Sequence, residues 1–541
     1  MTCRRPTRRS GTSSSRTPDA FGAVAAAKAT AHERQASSAW PKGRARAKSV
    51  VMSSEHRADF TRPEILSILP GLLLAMLLGA LDQTIVATAM PTIGRELGDV
   101  EQLPWVVTAY LLASVAVTPL YGKLADIHGR RIVMLSAIAI FVAGSVACAL
   151  SPSVPILAVA RALQGAGGGG LISLAQTIIA DIVSPRERGR YQVHIASVFA
   201  ASSLAGPPLG GLLADHIHWS AIFWINIPLG AVALFFTSER LRHLPKVARP
   251  HKLDIAGALL LVLATTPFLL ALSWGGVKFP WFSPIVLSLF AAAILFTLGF
   301  VWRTRAADEP LIPASVLGNQ VVKTATIAAG LAMGVFIGLS IVMPVYLEGV
   351  VGLTASMSGL ALIPLMIGTV IGATTAGRSM ARLTNYKRLP MAGMVVAFVA
   401  SAIIAWRPRG LPFAVLECVL LIVTIGLGTV LPTATVSIQN AVARHELGAA
   451  TGASNFFRQI GSALVAAVFG AIVFGASGVA QEVTRSEHAA LDPAAIEALT
   501  QAFRHVYIGA CILIVIAMAF FAAMEMRPLR SGAEPPAESG H

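Results

Sequence analysis

The chain has 541 residues, of which 55% are hydrophobic and only 13% charged, with a formal net charge of +15 at pH 7. A soluble protein of this length carries about 25% charged residues, so the composition excludes an ordinary soluble domain and points to a membrane. The positive charge raises nucleic acid as a partner, but the basic residues lie in loops between apolar runs, and no nucleic-acid partner is expected. Cys3, Cys148, Cys418 and Cys511 form no CxxC pair and no metal-ligand spacing. Neither a disulfide framework nor a metal site is expected.

Residues 1–51 are rich in Arg, Ser, Ala and Thr and lack the apolar core of a signal peptide. They read as a basic, disordered cytoplasmic tail, reaching residue 63, with Met52 as an alternative start. Beyond it the apolar runs predict about fourteen helices of the roughly 20 residues that cross a bilayer. They fall near 66–90, 104–121, 132–150, 155–180, 191–213, 219–237, 254–273 and 284–302, then 324–347, 357–377, 389–406, 411–433, 455–476 and 504–524. The expected fold is an all-α integral membrane protein. A six-helix bundle over 64–237 is followed by two inserted helices with linkers over 238–323, a second six-helix bundle over 324–525 and a tail over 526–541.

Lys and Arg alternate between loops. Lys123, Arg130 and Arg131, then Arg186, Arg188 and Arg190, and later Arg378, Arg382, Lys387 and Arg388 fall on one side, while the other holds Arg95, Lys278, Arg407, Arg409 and Arg485. The positive-inside rule then puts both termini in the cytoplasm. The loop "GKLADIHGRRIVML" after the second span is echoed by "GRSMARLTNYKRLP" after the tenth. This is a weak internal repeat that would match spans 1–6 with spans 9–14.

Two ionisable residues stand inside apolar runs. Asp82 is the one acid in "GLLLAMLLGALDQTIVATAMP", about 24 Å along the first span, and Arg161 is about 10 Å into the fourth from the opposite end. Both estimates give a similar depth, where an acid and a base face a cavity or each other. A carboxylate in low dielectric prefers its proton, and a nearby Arg or an opening to water removes that preference. An acid that alternates between such environments carries protons, and Asn could not. The alternative is a static pair that fixes helix packing. In "GKLADIHGRR", Gly122 and Gly129 permit a tight turn. Asp126 can pair with Arg130 or Arg131 or sit at a neighbouring helix end. In "GPPLGG", Gly206, Pro207, Gly210 and Gly211 combine a kink with close backbone approach.

The 122–131 string resembles the signature loop of the major facilitator superfamily. Taken with "LDQTIVATAMPTIG", "RALQGAGGGG", "GPPLGG", "HWSAIFWINIPLG" and "FFRQIGSALVAAVFG" in order, the chain from about 65 to 525 resembles that superfamily's fourteen-span drug:proton antiporters, the group of the Emr and Qac exporters. The resemblance implies a two-bundle transporter of 6 + 2 + 6 helices in the bacterial cytoplasmic (inner) membrane. It would exchange protons for amphipathic compounds, with no cofactor beyond the proton gradient, and in some relatives a periplasmic adaptor and outer-membrane channel take part. Asp82 and Arg161 would couple protons. Gly122, Asp126, Gly129, Arg130 and Arg131 would gate, and the "GPPLGG" glycines and proline would serve antiport. The chain departs from the family at Ala87, Ser220 and Glu348, where relatives often carry Asn, Arg and Gln. With Asp82 and Glu348 as acids, and Trp105 and Phe223 as aromatic lining, cations are the expected substrates.

No GxxxxGK[ST] nucleotide loop is present, so no ATP-driven step is expected. A dedicated exporter of one metabolite, antibiotic or siderophore is the alternative within transport. A lipid-modifying enzyme would need a polar cluster at the interface, for which the turn with Asp215, His216 and His218 is the only candidate. It reads better as a polar loop, and no enzyme activity is expected.

Overall fold

The computed structural model describes residues 61–99, 102–243, 252–276, 278–383, 385–475 and 493–529. The basic tail, Met52 and the last twelve positions, 530–541, lie outside the described residues, as does Arg485. The regular structure within them is helical, with one isolated bridge between Gly275 and Phe279.

The long helices run in chain order as α1 (Arg62–Leu97), α2 (Pro104–His128), α3 (Arg130–Ala149), α4 (Val154–Ile182) and α5 (Pro185–His216). Next come α6 (Ala221–Arg240, interrupted at Ile225), α7 (Ile255–Trp274) and α8 (Pro284–Ala306). The rest are α9 (Gln320–Gly349), α10 (Ile363–Arg382), α11 (Arg388–Trp406), α12 (Phe413–Ala441, interrupted at Thr429), α13 (Leu447–Gly475) and α14 (Pro493–Ala523). Several extend past the apolar runs read from the sequence: the first run ends near residue 90, but α1 continues to Leu97. A helix satisfies its own backbone hydrogen bonds and has no reason to stop at the hydrocarbon boundary.

Thirteen described helices are long and apolar enough to cross a membrane. The long helix that falls short of that composition is α4. It is 29 residues long, or about 44 Å at 1.5 Å per residue, but carries Arg161, Gln164, Gln176 and a run of glycines. From Gln164 onward it is mostly buried in protein, while Ile156, Val159 and Leu163 near its start stay exposed. A Cβ on Gly165 would stand 2.3 Å from the Tyr110 carbonyl oxygen, on Gly169 2.2 Å from that of Ser114, and on Gly167 2.4 Å from the Phe141 nitrogen. The "GAGGGG" run therefore lets α4 lie directly on the backbones of α2 and α3.

The turn from α2 to α3 is made by Gly129 at φ +89°, a conformation that costs other residues a steric clash. The inserted pair is tied at one end by Asp254. Its carboxylate caps α7 by accepting from the Gly257 amide at 3.0 Å and pairs with Arg303 of α8 at 2.9 Å. Within α1–α6 the core includes Leu72, Met76, Phe141 and Ile178, and within α9–α14 Val335, Leu420, Phe503 and Phe521.

Candidate functional site

Asp82 is completely buried and every contact made to its carboxylate is a donor. Oδ2 accepts from Arg161 Nη1 at 2.5 Å. Oδ1 accepts from Gln164 Nε2 at 2.7 Å and Asn226 Nδ2 at 3.2 Å. Both amides also donate to Ser145 Oγ, at 2.8 and 3.3 Å. Arg161, 1% exposed, donates further to the Val106 carbonyl at 3.0 Å and Gln164 Oε1 at 2.7 Å, and its guanidinium lies 4.2 Å from the Tyr110 ring centroid. Donors from α4 and α6 thus converge on the one carboxylate of α1, and Ser145 of α3 ties the two amides together. In a medium without water each of these polar groups needs a protein partner, and here each has one.

Arg130 stands between Asp126, at 2.5 Å, and Asp181 at the end of α4, at 2.7 Å. Arg131 turns away from both and donates to the Ser238 carbonyl at 3.1 Å. The Asp126 carboxylate also accepts from the first-turn amides of α13, Gly448 at 3.3 Å and Ala449 at 2.9 Å. A negative charge there complements the helix dipole, so Asp126 fastens the first half of the chain to the second. Gly122 enables the contact, because a Cβ on it would stand 2.2 Å from the Gly448 carbonyl oxygen. The same arrangement occurs once more, since a Cβ on Gly377 would stand 2.1 Å from the Gly189 oxygen. Gly122 and Gly377 open the two repeated loops. The repeat is imperfect: the position four residues after the glycine is Asp126 in one loop and Ala381 in the other, and among the described residues only the first contact is fastened by a charge.

The "GPPLGG" stretch packs on the turn of α1 that follows Asp82. Gly206 faces Thr84, and a Cβ on Gly210 would stand 2.3 Å from the Ile85 carbonyl oxygen. Thr84 Oγ1 donates across to the Ser202 carbonyl at 2.9 Å. Gly211 has no neighbour within 4 Å on the side where a Cβ would project.

Between the halves lies a cavity of about 740 Å³, within the usual size of small-molecule sites. It is walled by α1, α2 and α4 on one side, α9 and α13 on the other, and by α7, whose Leu269, Leu272 and Ser273 reach it. It extends from Thr118, Ser173 and Arg458 to Gly275 and Gly276, that is, away from the basic 122–131 loop. Asp82 does not line it; its neighbour Gln83 does. The three residues expected along a substrate pathway are elsewhere. Phe223 is buried against Arg161 at 5.8 Å, Trp105 packs edge-on against Trp274 at 5.6 Å, and Glu348 accepts from Ser358 Oγ at 2.7 Å. Asp215, His216 and His218 form an exposed turn in which His218 Nε2 meets Glu96 at 3.0 Å.

Gln164, Ser145, Asn226 and Arg458 were not singled out from the sequence. Arg458 carried a readable signal, as a lone charge in an apolar helix.

The profile of the Major Facilitator Superfamily matches residues 72–466. An MFS-type transporter of Mycobacterium tuberculosis (strain ATCC 25618 / H37Rv) is 35% identical over 75% of this chain, which spans only 59% of that protein's length. Multidrug transporter protein MdtP of Bacillus subtilis (strain 168) is 33% identical over 76% of both chains. Among solved structures, the human organic anion transporter MFSD10 superposes with a TM-score of 0.58 over 84% of this chain and 100% of that one, at 17% identity. That last likeness is one of fold.

Proposed function

The chain belongs to the major facilitator superfamily, and on that premise we propose that it is a proton-driven exporter of amphipathic toxic compounds in a bacterial cytoplasmic membrane. Family membership makes it a multi-pass membrane transporter rather than an enzyme. Relatives named as a multidrug transporter and as a multidrug resistance protein support the substrate class, and the loop charges support an orientation with both termini inside.

The observation that carries the reading is the sealed carboxylate of Asp82. An ionisable group at this depth is expensive, and amides could have joined the same helices without it. In the conformation described, Arg161 holds the carboxylate and the two glycine contacts close the basic end. Reading the basic end as cytoplasmic makes this the outward-open arm of the cycle. A proton arriving from outside neutralises Asp82 and removes the counter-charge of Arg161. The α1–α5 contact at Gly206 and Gly210 then readjusts, the contacts at Gly122 and Gly189 part, and Asp82 gives its proton to the cytoplasm as Arg161 recaptures it. One proton enters for each passage through the acid, and substrate leaves on the opposite swing. Cationic substrates were expected from acids along the pathway, but neither Asp82 nor Glu348 lines the cavity, so the reading rests on amphipathic character alone.

The test is a drug-susceptibility panel in a pump-deficient bacterial host. Expression should raise resistance to several amphipathic compounds, and Asp82→Asn expressed at equal level should abolish the gain. An unchanged panel would refute export.

A further inference from the structure

The lining of the cavity holds one charged side chain among the described residues. Among the described residues that line it, Arg458 is the sole Lys, Arg, Asp or Glu. It lies about 16 Å along α13 from Leu447, well inside a 29-residue helix. Arg130 and Arg161 are each neutralised by an Asp. Arg458 forms no ion pair with an acid among the described residues. Its Nη2 donates to Asn455 Oδ1 at 3.0 Å, and Asn455 donates in turn to Gln176 Oε1 of α4 at 3.0 Å. The guanidinium is thus anchored on the polar bridge that joins the halves at the cavity's inner end. A guanidinium has five N–H donors, and one neutral hydrogen bond leaves most of them for the cavity.

An intramembrane cation without a counter-ion calls for a partner, and the side chains around this one are neutral. Gln459 and Ser462 are its neighbours on α13, Gln83 is a further neutral polar residue of the lining, and Leu112, Ile172 and Phe336 supply apolar wall. We infer that the cavity binds amphipathic anions, with a carboxylate or sulfonate head on Arg458 and the apolar body against those walls. Guanidinium pairs with such groups through parallel charge-assisted hydrogen bonds, whereas a lipophilic cation brought to the same place meets like charge. The inference deepens the export reading above by giving its substrates a sign of charge.

The test uses the full chain in lipid nanodiscs, with empty discs subtracted, and three probes that share one fluorophore: dansylglycine, its methyl ester and a dansyl trimethylammonium analogue. Dansylglycine should bind saturably, about tenfold or more tighter than either of the others, the gain of one charge-assisted contact. Arg458→Gln should bring the three affinities together, and Arg458→Lys should keep part of the preference. The ester comparison removes the charge from the ligand instead, so the inference stays testable if Arg458→Gln does not fold. Equal or tighter binding of the ammonium probe, an anion preference that survives Arg458→Gln, or no saturable binding of any probe would overturn it. Binding is read without a proton gradient. Anion-selective binding without proton-driven transport would therefore sink the export reading alone, and proton-driven export of cations indifferent to Arg458 would sink this one alone.

Discussion

Replacing Asp82 with Asn puts an amide where every partner is a donor. Arg161 Nη1 stands at 2.5 Å from one oxygen and Gln164 Nε2 at 2.7 Å from the other. Whichever way the new amide turns, its NH₂ faces a donor, and Arg161 loses its counter-charge. Breaking a buried ion pair on one side costs about 3–5 kcal/mol. The bonds of Arg161 to Val106 and Gln164 and its contact with the Tyr110 ring exist before and after, so they do not offset the loss. Adding Arg161→Gln removes the stranded cation, and the double variant should recover about 1–3 kcal/mol relative to Asp82→Asn. Both variants should lose proton-coupled export, because neither has a titratable group at that place. Thermal unfolding of the purified proteins in detergent reads the first effect, and substrate-induced proton release from everted vesicles reads the second. Wild-type stability in Asp82→Asn would refute the electrostatic account of the site. Full proton release in that variant would remove Asp82 as the carrier and turn attention to Glu417, whose two carboxylate oxygens have no hydrogen-bond partner among the described residues.

Gly122→Ala places a Cβ 2.2 Å from a backbone oxygen that cannot rotate aside. It should hold the basic end open, seen as faster thiol labelling from that side of a cysteine placed at Ser173, and an unchanged rate would refute the seal. Asp126→Asn removes the negative charge at the start of α13, a loss of about 0.3–1 kcal/mol for the charge–dipole interaction alone, and should shift labelling the same way. Gly210→Ala should cut transport sharply because it forces α5 off the Ile85 carbonyl, while Gly211→Ala, facing open space, should leave transport unchanged. Equal effects of the two would refute the close-approach reading of that stretch.

The helices were legible because a chain in hydrocarbon must close its backbone hydrogen bonds within each apolar run. Even α4 could be read, as its apolar residues still outnumber its polar ones, although burial in protein frees it from lipid's demand for hydropathy. What could not be read is rotational phase. Asp82 and Gln83 are adjacent, yet one is sealed in the bundle and the other faces the cavity, since neighbouring residues on a helix point about 100° apart. In a helix that is apolar on all sides, no polar stripe marks which face turns inward. The partners of Asp82 were hidden for a related reason. Gln164 and Asn226 stand within quoted strings, but their meeting depends on the packing of α4 and α6 against α1, which sequence spacing does not encode. The Asp126–α13 contact joins residues more than 300 positions apart, and only the repeat between the loops at Gly122 and Gly377 hinted that such contacts come in pairs.

The central claim is that protons drive transport through this chain, and flux in proteoliposomes tests it most directly. Purified protein is reconstituted with a pH-sensitive dye inside, a pH gradient is imposed, and an amphipathic substrate is followed alongside proton movement. The account predicts substrate accumulation against its own gradient, with protons moving in the opposite direction, and loss of both on dissipating the pH gradient. Substrate movement only down its own gradient, with no linked proton flux, would contradict it.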